Sequence, residues 1–316
     1  MLGVEQIASH AGHPHPERAV RTTPAPGAVL PGSRAVLPGS GAAGTGWQTG
    51  RVSSENPPET PAPATAPGTA PVPPAPGPDS PFRHGSVRRD EAPQYVLPLV
   101  VRVEKAAPPA RTDALETAAR AVLEILGDER SHGDGEWAGA MRAWQDARIR
   151  KVVRRARGAE WRRASALPGI TVTGGAGERA AEVRVFPPVP LDGWPKELVK
   201  LQVSGTELDD PEQPAAPKAG APVLWLSPAV TMSAGKAMAQ AGHGAQLAWW
   251  ELTDAGREAW RSTGYRLSVR TADTAHWRAL TGSGLPVVRD AGFTEIAPGS
   301  TTVVADHPAL RGADPR

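Results

Sequence analysis

Between Gln94 and Leu310 the bulky and rigid residues recur at an almost constant interval. Trp144 and Trp260, Trp161 and Trp277, Pro168 and Pro286, and Pro190 and Pro308 stand about 116 to 118 positions apart. A chain that repeats its large anchors and its stiff prolines in one order is expected to fold the same unit twice. The intervening text follows one plan in both copies. In the first, VLPLVVRV (96–103) reads as a strand and TDALETAARAVLEIL (112–126) as a helix capped by Thr112 or Asp113, before LPGITV and AEVRVFPPVP. In the second, VLWLSPAV, a helix after Met232, YRLSVRTADTAHWRAL, LPVVRDAG and STTVVADHPAL take the same places. Strands and helices interleave within each copy, which predicts α/β domains with a mostly parallel or mixed sheet.

Composition sets the boundaries. The chain has 35 prolines, crowded before Gln94, and segments such as PPETPAPATAPGTAPVPPAPGPDSP cannot bury enough apolar surface to offset the entropy of ordering. Residues 1–93 are therefore expected to be disordered, 94–208 and 222–311 to form the two copies, 209–221 to link them, and 312–316 to be a polar tail.

A formal charge of +2 over 316 residues does not by itself imply a nucleic-acid partner. Its distribution is uneven: Arg148, Arg150, Lys151, Arg154, Arg155 and Arg157 crowd one short stretch, which reads either as a phosphate-binding surface or as a solvated face. Cysteine is absent, so disulfide and thiol chemistry are excluded. No apolar run is long enough for a membrane span, and no secretory signal core is present, so a cytoplasmic location is the expectation.

The helix after Met232 has two faces. Met238, Ala241, Ala245, Ala248 and Leu252 make an apolar stripe, and Lys236, Gln240 and His243 lie at i, i+4 and i+7 on the other side. Thr231 or Ser233 can cap it. Lys236 then falls in the first turn, where the helix dipole disfavours a cation, and free helix-start N–H groups beside an ammonium would suit an anion or an oxyanion. Downstream, Asp290 ends a hydrophobic strand, and Ala291-Gly292 permits a sharp turn that would present the carboxylate and the Thr294 hydroxyl. Ala234-Gly235-Lys236 is not a phosphate-binding P-loop, since the upstream glycine is missing and Ala237 replaces the Ser or Thr that would hold magnesium. The histidines show no metal-ligand spacing, so neither a metal nor another cofactor is expected.

Two stretches, TMSAGKAMAQAGHGAQLAWW (231–250) and LPVVRDAGFTEIAPGSTTVVA (285–305), resemble the signatures of the type 2 peptidyl-tRNA hydrolases, roughly M-G-K-G-K-I-A-A-Q-x-x-H-A and D-A-G-R-T-Q-I-x-P-G-T-x-T-V. The resemblance implies a three-layer α/β/α domain with a four-stranded mixed sheet and a habit of dimerising, so a tandem chain would be a covalent pseudo-dimer. It also implies hydrolysis of the ester in peptidyl-tRNA. Lys236 would stabilise the oxyanion or hold the ester, and Asp290 would orient Lys236 or draw a proton from water. Gln240 and Thr294 would position water or substrate. His243 would contact RNA, carry a proton or serve as a structural polar residue, and Arg150, Lys151, Arg154, Arg155 and Arg157 would bind tRNA phosphates.

The chain departs from that pattern at Ser233 and Ala234, where the first lysine is lost, and at Phe293 and Glu295, where a cation is lost and an anion appears. These changes lower the local positive potential. Glu116, Arg120 and Leu123 stand opposite Lys236, Gln240 and His243, so the first copy looks catalytically empty. A tRNA- or ribosome-binding protein that kept the fold without turnover, and an esterase for another acylated nucleotide, are the alternatives.

Overall fold

Apolar runs of four to eight residues bounded by turns form the strands, and longer stretches with helical periodicity form the helices between them. The computed structural model describes residues 93–175, 177, 179–290 and 296–311. The first half contains β1 (Tyr95–Arg102), α1 (Arg111–Gly127), α2 (Ala138–Asp146), β2 (Arg150–Ala156), α3 (Gly158–Ser165), β3 (Ile170–Thr173), β4 (Glu182–Val185), β5 (Val189–Pro190) and α4 (Lys196–Val199). The second contains β6 (Val223–Leu226), α5 (Ala234–Glu251), α6 (Asp254–Ser262), β7 (Ser268–Thr271), α7 (Thr274–Thr281), β8 (Val287–Arg289) and β9 (Thr301–Asp306). Apart from Pro93, the N-terminal region expected to be disordered lies outside the described residues, as does the tail 312–316.

The fold is α/β with two mixed sheets. The first runs β2-β1-β4-β3 and the second β7-β6-β9-β8. In each, the first pair is parallel and the other two are antiparallel. Four strands were expected per sheet; the first has a fifth, because β5 pairs antiparallel with the start of β1 through Tyr95–Pro190 and Val96–Val189. One of the two tryptophan pairs also does equivalent work. Trp144 Nε1 donates to Arg150 O at 2.8 Å and Trp260 Nε1 donates to Arg266 O at 3.0 Å, each six residues downstream.

Alternation along the strands puts helices on both faces of each sheet. Leu97, Leu99 and Val101 face α1, whereas Val100 faces Trp161 of α3 and Leu198 of α4. Leu224, Leu226 and Val303 face α5, whereas Val304 packs with Leu280 of α7. The apolar stripe of α5 is buried as expected and lies against α1, so one continuous core runs between the two sheets.

Each sheet's first helix also reaches the other sheet's parallel edge strand: α5 packs on β2, and α1 packs on β7. Glu116 of α1 accepts from Val269 N at 3.1 Å and Arg270 Nη1 at 2.6 Å. Gly242 permits the close approach of α1 and α5, since a Cβ there would stand 2.9 Å from Val122 Cγ2.

Residues 209–221 carry no regular secondary structure, yet they are not a loose connection. Asp209 O accepts from Arg111 N at 3.2 Å, and Asp210 accepts from Thr112 N at 2.8 Å and Thr112 Oγ1 at 2.7 Å. Ala215 O takes the Arg270 guanidinium. Asp210 thus caps α1 from 98 positions away, in place of the local cap expected of Thr112 or Asp113. Asp113 instead accepts from Gly175 N and Ala181 N, at 2.8 and 2.7 Å.

Candidate functional site

Ser233 begins α5 as its cap, its Oγ accepting from Lys236 N at 3.3 Å. The helix-start amides are not the free cluster the sequence suggests. Ala234 N donates to Thr206 O at 3.1 Å and Lys236 N to the cap, so two of the helix-start amides are already occupied.

That ammonium donates to Asp290 Oδ2 at 2.5 Å, with the two side chains only 14% and 6% exposed. The pairing explains how a cation is tolerated in the first turn of a helix. Asp290 follows the last residue of β8 and is fixed by its backbone, N donating to Ser300 O at 2.9 Å and O accepting from Gly299 N at 2.7 Å. Gln240, one turn beyond Lys236, donates from Nε2 to the same Asp290 Oδ2 at 2.9 Å.

Thr302, which motif reasoning missed, completes the relay. Its hydroxyl donates to Gln240 Oε1 at 2.5 Å. That bond sets the amide so that Nε2, not Oε1, faces the carboxylate. The register of β8 and β9 explains the placement. Val288 pairs with Val303 but Arg289 with Thr301, leaving Thr302 as the extra residue of a bulge. The sequence shows only a threonine before Val303 and Val304, and its complete burial comes from the pairing of the strands. Thr294, expected beside Asp290, lies outside the described residues, as do Ala291, Gly292, Phe293 and Glu295.

Lys236, Gln240, His243 and Asp290 line one side of a cleft of about 850 Å³ whose other side comes from the first half, including Ile149, Arg150, Lys151 and Val152. Lys151 is buried, unlike an exposed phosphate contact. Its Nζ donates to Gln246 Oε1 at 2.5 Å and stands 3.3 Å from His243 Nδ1. The strand's alternation turns this residue, expected from the sequence as a phosphate contact, toward α5. Burial pushes the Lys151 ammonium well below the usual lysine range. Burial first, and the neighbouring Lys151 and Lys236 next, likewise push His243 well below its ordinary value, which favours the neutral imidazole.

The remaining arginines divide. Arg150 lines the cleft. Arg154 Nη1 donates to Leu201 O at 2.6 Å and its guanidinium lies 4.4 Å from the Trp194 ring, while Arg155 bonds Gln202. These two hold the segment after α4 against β2, and Arg157 precedes α3 as its N-cap. The expected row of phosphate-binding cations is thus partly occupied with internal contacts. Among the described residues no group of three His, Asp or Glu side chains is placed to hold a metal ion, and no helix is long and apolar enough to cross a membrane.

The geometry joins a helix-borne lysine and amide to a carboxylate at the end of a neighbouring strand, in the order and spacing of the two signature stretches. Residues 223–312 match the family model of peptidyl-tRNA hydrolase PTH2. The match covers β6 to β9 and thus Lys236, Gln240, Asp290 and Thr302, and it includes none of the first half. The PTH2-like segment therefore holds one side of the cleft, and the residues before it hold the other. No curated protein and no solved structure matches the chain.

Proposed function

We propose that the chain hydrolyses the ester of peptidyl-tRNA, with residues 222–311 as the catalytic unit and 94–208 as a diverged second copy forming a covalent pseudo-dimer with it. The observation that carries this reading is the Lys236–Asp290–Gln240–Thr302 relay, set inside the segment that matches the hydrolase family. The shared strand order and the equivalent tryptophan bonds support the second copy.

Water attacks the ester carbonyl carbon, the carbonyl oxygen takes negative charge, and the bond to the ribose oxygen breaks as that oxygen receives a proton. Lys236 stabilises the oxyanion as a preorganised donor. Asp290 holds Lys236 in place, accepts a proton from the attacking water and passes it to the leaving ribose oxygen. Gln240 and Thr302 orient Asp290, and Thr294 assists in positioning water. Arg150 contributes to the tRNA phosphate surface. His243, neutral and backed by Lys151, acts by hydrogen bonding and not as a cation toward RNA.

Release of free tRNA from an N-blocked aminoacyl-tRNA tests the reading. Lys236→Ala and Asp290→Asn, each confirmed to be folded, are expected to lower kcat by about 10²–10³-fold, the cost of losing one preorganised donor or general base. Tight tRNA binding without turnover by the intact chain would favour the non-catalytic binder instead.

A further inference from the structure

The cleft beside Lys236 and Asp290 mixes apolar and basic side chains, and the first half supplies both. The side contributed by the first half includes apolar groups from Ile149, Val152, Leu191 and Val203. Leu191 and Val203 are 44% and 51% exposed, two of the three large hydrophobic side chains left this open among the described residues. Open apolar side chains gathered along a cleft, instead of scattered singly, indicate a surface that another molecule covers. The same cleft is also lined by Arg148, Arg150, Lys236, Arg289 and Asp290. Its volume of about 850 Å³ is that of a ligand site. An ester that suits such a cleft has an apolar acyl part beside its reacting carbonyl.

We propose that the apolar side chains supplied by the first half form an acyl subsite, selecting esters whose acyl group next to the scissile bond is large and apolar. The inference rests on the hydrolase reading and adds to it the substrate class. The occupant follows from continuity with the site. A group extending from a carbonyl at Lys236 along this cleft is either the acyl chain or the nucleotide, and aliphatic side chains desolvate the first without loss and the second only at a cost. The half of the chain outside the family match thereby acquires a part in specificity.

The test compares N-acetyl-leucyl and N-acetyl-asparaginyl esters on one and the same tRNA, which differ in polarity at similar size. Binding of the corresponding amide-linked, non-hydrolysable 3′-acylamino RNAs is measured alongside. The intact chain is expected to favour the leucyl ester in kcat/KM and the leucyl amide in affinity by about tenfold or more. The double variant Leu191→Ser, Val203→Ser is expected to lower both ratios several-fold. Val199→Ser, which removes the third open apolar side chain, outside the cleft, is expected to keep them. Equal treatment of the two acyl groups by the intact chain, or ratios unmoved in the double variant, would overturn the subsite. Trp250 also lines the cleft, and an acyl-independent affinity that Trp250→Ala abolishes would likewise overturn the subsite, assigning the cleft to a nucleobase. Hydrolysis of neither ester with the amide preference intact would overturn the hydrolase reading and leave the subsite standing.

Discussion

Lys236 and Asp290 are a cation and an anion removed from most of their water, and their value to one another comes from geometry that neither creates alone. Asp290 is set by backbone bonds to Ser300 and Gly299, and Gln240 by a hydroxyl from the bulge in β9. His243 adds a pH dependence whose sign is fixed. Its folded value is depressed by burial first and by Lys151 and Lys236 next, whereas in the unfolded chain it titrates near about 6.5. Below that pH the unfolded state binds a proton that the folded state refuses, so stability is present above about pH 6.5 and lost as the pH falls. His307, also depressed by burial, contributes in the same direction. Urea midpoints at pH 7.5 and 5.5 are expected to fall with acid in the intact chain, and to fall less in His243→Gln. Lys236 and Gln240 were legible as a pair from helical spacing, and Asp290 from its place after an apolar strand. Thr302 was not, because a bulge is a property of two paired strands. Lys151 read as a surface cation because its partners on α5 lie more than ninety positions away.

Helix α5 serves two neighbours at once, which explains its run of small residues. Gly244 admits its own sheet, where an added Cβ would stand 2.8 Å from Val303 Cγ1, while Gly242 admits α1. Gly242→Val is therefore expected to cost about 2 kcal/mol, the range for overpacking an interior, measured by chemical denaturation; an unchanged midpoint would show that α1 gives way freely. The apolar stripe of α5 was readable from the sequence, but its partner was not, because periodicity marks a buried face without saying what buries it. The capping of α1 by Asp210 is a related case. Local rules nominated Thr112 or Asp113, and a residue beyond the first half supplied the bond.

The whole molecule is arranged so that each half completes the other's surroundings. The second half alone would expose the α1-facing side of α5 and lose the opposing side of the cleft. A chain comprising residues 209–316 is expected to self-associate or precipitate where the full chain does not, as read by size-exclusion chromatography. A well-behaved monomer would mean that the halves are energetically independent.

By itself the sequence determined the alternation of strands and helices, the recurrence of anchors at a fixed interval, and the Lys236, Gln240 and Asp290 positions, because each is written in local periodicity or in spacing along one chain. Only the tertiary structure decided that α1 and α5 share a core, that Lys151 turns inward, that Thr302 orients Gln240, and that an apolar wall from the first half faces the site. Those features arise from contacts between segments far apart in the chain, and which of many apolar faces meet is settled by packing the whole chain at once.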